Sequence, residues 1–155
     1  MITINKSPTA DTRTCDVTKV TRETLVDSSK QHIQDVQFGL AFFRQKLLDA
    51  GVNHDFTKLE RMDQFFSDFK TKFEKHEWWD AHKKLERHHL SEPTGVREDV
   101  NLVDVIEFIT DCVMAGMARS GSVYELKLPP EVLEKAFQNT VAMLKAEVVV
   151  REVKK

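Results

Sequence analysis

Apolar residues recur at three- and four-residue steps through most of this chain, and the places where that rhythm stops mark its expected elements. Val17, Val20, Ile33, Val36, Leu40, Phe43 and Leu47 form such a stripe across residues 17 to 50, where no proline intervenes and Gly51 stands as a C-terminal stop. The pattern predicts one long helix, or two with a break near Asp27-Ser28-Ser29. Leu59, Met62, Phe65, Phe66, Phe69 and Phe73 keep helical spacing from about Thr57, with the phenylalanines expected in the core. Trp78, Trp79, His82 and Leu85 mark a third helix over residues 74 to 89, ended by a loop at Glu92-Pro93-Thr94-Gly95. Asp99 or Asn101 then opens a run over residues 102 to 115 that is apolar almost all round, as a central helix should be, and Ser120-Gly121-Ser122 closes it. Pro129-Pro130 starts a last helix, with Val132, Leu133, Ala136, Phe137, Val141, Met143 and Leu144 as its packing face. Residues 148 to 153 read either as its continuation or as an extended edge.

The expected fold is therefore all-α, a single-domain bundle of about five to six helices spanning residues 16 to 155. Residues 1 to 15 lack periodicity, contain Pro8 and read as a flexible arm. At 155 residues the chain suffices for one sizeable core and is short for two. A formal net charge of −2 does not mark a nucleic-acid or membrane binder. Cys15 and Cys112 make no disulfide framework and suit reduced thiols. No run has signal-peptide or transmembrane character, so a soluble cytoplasmic protein is the expectation, with homo-oligomerisation left open.

Candidate chemistry centres on Asn53-His54-Asp55-Phe56-Thr57-Lys58. An imidazole and a carboxylate side by side can share one divalent metal; the competing role for Asp55 or Thr57 is to cap the next helix. On a helix at 100° per residue, His82 and His89 fall within about 20° of each other while His88 points well away. Lys83, Lys84, Arg87 and the histidines around them also read as a basic surface that attracts phosphate. Asp104, Glu107 and Asp111 lie within about 60° of one another on the apolar helix. A buried carboxylate must protonate, pair with a cation or bind a metal, so these three either join a site or form salt bridges to Arg44, Arg61 or Arg97. His32 joins the candidates from the first helix. Nitrogen and oxygen donors without thiolate suit Mn, Fe, Co, Ni or Zn, one or two ions per chain.

In this order, a histidine, a His-Asp pair, further histidines and a late aspartate resemble the HD-domain superfamily of metal-dependent phosphohydrolases. His54 to Lys58 looks like its His-Asp-x-x-Lys form. The chain is most similar to an uncharacterised family of small bacterial and phage proteins, through His54 to Lys58, Trp79 to His82, His88-His89 and Asn101 to Asp104. The resemblance covers roughly residues 25 to 120. It implies a metal held by His32, His54, Asp55 and Asp111, with His82 and His88 or His89 extending the site and Asp104 or Glu107 as alternatives for the last ligand. It further implies a catalytic role for Asp55, Lys58 and Glu107, and phosphate contacts from Lys58, with Arg61 or a donor among Lys83, Lys84 and Arg87. The implied substrate is a nucleotide or related phosphate ester. The alternatives are a non-catalytic nucleotide-binding or interaction protein that keeps the metal site, and an all-α nucleoside-triphosphate pyrophosphohydrolase using Asp104, Glu107 and Asp111.

Overall fold

The computed structural model describes residues 1–7, 9, 13, 15–92 and 95–152; Pro8 of the expected arm, Pro93 and Thr94 of the expected loop, and Val153 lie outside them. The fold is all-α in class, with two small strand pairs. By internal packing the chain forms two compact units, Met1–Gln45 with Ala142–Lys155, and Lys46–Val141. No helix among the described residues is long and apolar enough to cross a membrane.

In the first unit the expected flexible arm is partly a strand. β1 (Ile2–Asn5) pairs in parallel with β4 (Val148–Arg151), setting Ile2 against Val148 and Ile4 against Val150. Both segments are rich in β-branched residues, which favour the extended backbone. The ends are tied by the Met1 ammonium to Glu147 at 2.9 Å and Lys6 to Glu152 at 3.0 Å. Residues 148 to 151 are thus an extended edge and not a continued helix.

A short 3₁₀ turn at Val17–Lys19 precedes α1 (Arg22–Asn53). Reciprocal bonds start that helix: the Thr21 hydroxyl accepts from the Thr24 N–H at 3.2 Å, and the Thr24 hydroxyl accepts from the Thr21 N–H at 2.9 Å. No break occurs at residues 27–29, because Ser28 is buried and bonded to the hydroxyls of Ser7 and Thr9. Gly51 lies inside the helix and does not stop it.

The second unit carries α2 (Phe56–Glu60), α3 (Met62–Lys70), α4 (Glu77–Leu85), a 3₁₀ turn at Arg87–His89, a hairpin of β2 (Ser91–Glu92) and β3 (Gly95–Val96), and α5 (Leu102–Ser120). Most of α6 (Pro130–Glu147) belongs to it too, opening on proline as expected. Its core joins Leu90, Val100, Val105, Val132 and Ala136. α5 starts in a capping box, with the Asn101 side chain accepting from Val103 and Asp104 while the Asp104 carboxylate accepts the Asn101 N–H, and ends at Gly121 with φ 69°. Gly116 lets this helix pass so near the next loop that a Cβ there would sit 2.7 Å from the Ser122 carbonyl. Two expectations fail. Phe66 and Phe69 are exposed while Phe65 and Phe73 gather round buried Trp78, and α5 leaves Ile106, Ile109, Met114 and Met117 exposed, so it buries one face only.

Candidate metal centre

Two backbone irregularities assemble the site. Asp55 occupies the cap position of α2 but in the left-handed region (φ 57°, ψ 23°), and its side chain makes no capping bond. Asp tolerates that conformation better than most residues, at a cost of about 1–2 kcal/mol. The carboxylate is thereby freed from the helix end: Oδ2 pairs with Lys58 Nζ, and Oδ1 faces histidines. At the other irregularity, Glu86 is extended (φ −83°, ψ 116°), which ends α4 and resets the chain direction before Arg87–His89. His88 consequently turns inward to the same centre as His82, contrary to its position on a continuous helical wheel.

His82 is fixed by a buried relay. Glu86 Oε1 accepts the Thr57 N–H at 3.0 Å and the Thr57 hydroxyl hydrogen at 2.6 Å. That hydroxyl has one hydrogen to give, so the His82 Nδ1–H must donate to its oxygen, 2.7 Å away. The other ring nitrogen, Nε2, then carries the lone pair. Trp78 holds the arrangement from behind, stacking on His82 at 4.5 Å between centroids and donating Nε1–H to the Thr57 carbonyl at 3.4 Å.

Glu107 holds a second ring, His54, and stands beside a third, His88. Its Oε1 accepts from His54 Nδ1 at 2.9 Å and lies 3.3 Å from His88 Nδ1. Histidines that bind metals are typically oriented in this way, through the nitrogen that does not bind. The Nε2 atoms of all three turn to carboxylates: His82 Nε2 is 3.4 Å and His88 Nε2 3.7 Å from Asp55 Oδ1, and His54 Nε2 is 3.4 Å from Asp55 Oδ2 and 3.6 Å from Asp111 Oδ1.

These separations are too long for good hydrogen bonds. They are close to the roughly 3–3.5 Å expected between donor atoms that each stand about 2.0–2.2 Å from one ion. Asp55 Oδ1 supplies a test of fit, being a buried carboxylate oxygen with no hydrogen bond, aimed between the Nε2 atoms of His82 and His88. Lone pairs opposed in this way repel unless a proton or cation lies among them. Three sets of donor atoms, each within 4.8 Å of one another, meet the requirement: His54, His88 and Asp111; His82, His88 and His89; Asp55, His82 and Glu86. Because His82 and His88 are each shared, the donors fit one ion or two.

Burial and neighbouring charge move these groups in opposing directions. Burial raises the Asp55 carboxyl, but the Lys58 hydrogen bond and charge, helped by His54 and His88, hold it below the ordinary range. Glu107 is likewise raised by burial and brought below its ordinary value by His88 and His54. Burial pushes His82 down against the pull of Asp55 and Glu86. It pushes His89 down to about 3, assisted by the charges of His88 and His82. For His88, burial is outweighed by Glu107, Asp55 and Asp111, which raise it.

Among the residues expected from the sequence, His54, Asp55, His82, His88, His89 and Asp111 come together, with Lys58 and Glu107 bonded to them. His32 is exposed on α1 in the other unit and belongs to none of the three sets. Asp104 is not positioned as a ligand: it caps α5 and takes two bonds of 2.7 Å from Arg87 Nε and Nη2. Its partner is thus Arg87 and not one of the arginines expected for the carboxylates of this helix. Arg87 is committed in turn, since it also binds Asp99 at 2.7 Å, and these hydrogen bonds raise its pKa. Lys83 pairs with Asp80 at 3.1 Å and lies over the Trp79 ring. Arg61 and Lys84 are exposed. Glu86 is not among the residues expected from the sequence, and Thr57 is expected only as a cap. The i,i+4 spacing of His82 and Glu86 was the available signal, although the extended Glu86 backbone makes their link run through Thr57.

Comparison with family models, with characterised proteins and with solved structures finds no match to this chain.

Proposed function

We propose that this protein is a metal-dependent phosphohydrolase acting on a nucleotide or related phosphate ester. The single observation that carries the metal part is Asp55 Oδ1, buried and without a hydrogen bond between the Nε2 atoms of His82 and His88. In this reading His54, Asp55, His82, His88 and Asp111 hold the ion, and His89 extends the site toward a second. A divalent transition ion bound there would supply a water of lowered pKa and a Lewis-acidic contact for a phosphoryl oxygen. Glu107 holds His54, and Thr57 with Glu86 holds His82, in one tautomer and one orientation, so these donors are set before any ligand arrives. Lys58 holds Asp55 ionised and, being one-third exposed, also offers positive charge to an incoming phosphate. Arg61 is the nearest exposed cation in sequence.

The substrate class rests on the HD-like order of these residues. The test is hydrolysis of nucleoside and deoxynucleoside phosphates and simple phosphate esters, with Mn²⁺, Co²⁺, Ni²⁺, Fe²⁺ or Zn²⁺ supplied. Turnover that disappears in folded Asp55→Ala supports the proposal; wild-type rates in that variant contradict it. A second reading, a metal-holding protein that captures a nucleotide without turnover, is favoured by the engagement of Arg87 with Asp99 and Asp104 and of Lys58 with Asp55. Tight nucleotide binding with every metal and no hydrolysis would select it. The pyrophosphohydrolase alternative loses two of its three carboxylates, Asp104 to Arg87 and Glu107 to the histidines.

A further inference from the structure

The two oxygens of the Asp55 carboxylate stand in different surroundings. Oδ2 pairs with the Lys58 ammonium and lies 3.4 Å from His54 Nε2, whose other carboxylate neighbour is Asp111 Oδ1 at 3.6 Å. Oδ1 is buried, has no hydrogen bond, and lies 3.4 Å from His82 Nε2 and 3.7 Å from His88 Nε2. One side of the carboxylate thus has a cation built into the chain, and the other side has none.

The number of ions turns on that asymmetry. A neutral imidazole has one lone pair, so each ring serves one ion at a time. Dividing the candidate donors without using any nitrogen twice gives two groups. Asp55 Oδ1 goes with His82, His88 and His89, and Asp55 Oδ2 goes with His54 and Asp111. The second group is the one that Lys58 already occupies. Local structure keeps the lysine there, because it lies one helical turn after Asp55 and its N–H closes that turn on the Asp55 carbonyl at 2.9 Å.

We propose that the Lys58 ammonium takes the place of a second metal ion and limits the centre to one, an inference that rests on the metal reading above. An ion bound through Oδ2 would be separated from the ammonium by a single oxygen atom, and like charges that close repel strongly in a partly buried site. On the Oδ1 side no such charge stands in the way. Lys58→Met keeps an unbranched side chain and removes the charge, which leaves Asp55 Oδ2 without its cation. A carboxylate so exposed to desolvation without a partner recruits another cation, and His54 and Asp111 are in place to complete a second set of donors. Lys58→Arg keeps the charge and should keep the limit. Lys58 is one-third exposed, so neither change opens a cavity in the core.

The test is equilibrium dialysis of the full, untagged chain against Mn²⁺ and, separately, Zn²⁺, with bound metal counted by elemental analysis. Wild type, Lys58→Met and Lys58→Arg are compared, each shown by circular dichroism to be folded, and Lys58→Gln replaces the methionine variant if that one does not fold. The Mn²⁺ samples are also read by electron paramagnetic resonance. The expected result is one equivalent with the spectrum of an isolated ion for the wild type and Lys58→Arg. Lys58→Met should hold two equivalents with a spin-coupled spectrum, because two ions sharing a site stand about 3.5–4 Å apart. Two equivalents in the wild type or in Lys58→Arg would overturn the role of Lys58 and leave the metal centre standing. So would one equivalent or none in Lys58→Met, or a second ion there without coupling. A wild type that binds neither metal would overturn the metal reading itself and this inference with it.

Discussion

Thr57→Val tests the buried relay behind His82 with little change of shape. Thr57 is 1% exposed and its hydroxyl bridges His82 Nδ1 and Glu86 Oε1 at 2.7 and 2.6 Å. Valine fills the same volume, so no cavity opens and the loss is polar. The His82 Nδ1–H is left without an acceptor, and Glu86 keeps only the Thr57 N–H as a donor from this residue. Stranding a buried polar group costs about 1–3 kcal/mol, so two partly stranded groups amount to roughly 2–5 kcal/mol of stability. Urea unfolding of the metal-stripped protein reads that cost, as a fall in midpoint of about 1–2.5 M at a slope near 2 kcal/mol/M. The chelated form is used so that metal release does not break two-state behaviour. His82 is then free to rotate or change tautomer, and metal affinity should fall about 10–100-fold, measured by competition with a chelator of known strength. Thr57→Ser keeps the hydroxyl and should recover most of the affinity. Unchanged stability and unchanged affinity in Thr57→Val would refute the relay.

Three further substitutions separate the site from its scaffold. Asp104→Ala removes a capping box and the two-bonded Arg87 pair, and should cost about 2–4 kcal/mol in the same urea assay, a buried-pair figure reduced because Arg87 is partly exposed and keeps Asp99. Its metal content should be that of the wild type; loss of metal with normal stability would return Asp104 to the ligand set. Glu107→Gln keeps the shape but presents an amide where the carboxylate accepts from His54 Nδ1 and stands beside His88 Nδ1, so chelator competition should read a loss of about 10–100-fold in affinity. Gly116→Ala puts a Cβ 2.7 Å from the Ser122 carbonyl and should destabilise by about 1–3 kcal/mol without changing metal affinity.

The helices were legible where a local signal ends them. Asn101 and Gly121 bracket α5 and Pro130 opens α6, because caps and proline act through the neighbouring backbone alone. Pairing between distant segments was not legible: β1 meets β4 across nearly the whole chain, and nothing in residues 2 to 5 names that partner. Gly51 misled for a related reason, since a glycine carries no side chain to enforce its own stop and the flanking turns carried the helix to Asn53. Within the site, His54-Asp55 and the late carboxylates could be picked out as residue types. Their roles could not, because those depend on two φ,ψ choices at Asp55 and Glu86. The first frees a carboxylate from capping, and the second turns His88 inward. Asp104 and Glu107, three residues apart on one helix face, part company for the same reason: Arg87 meets the first and two histidines meet the second.

In the proposed centre, the Nε2 face of His54, His82 and His88, with Asp55 and Asp111, holds a transition metal. Elemental analysis of freshly purified, untagged protein tests it most directly, beside His82→Ala and Asp55→Ala shown by circular dichroism to be folded. The expected result is one or two equivalents of a transition metal in the wild type, and loss of most of it in both variants. A wild type that holds no metal, even after reconstitution with Mn, Fe, Co, Ni and Zn in turn, would contradict it.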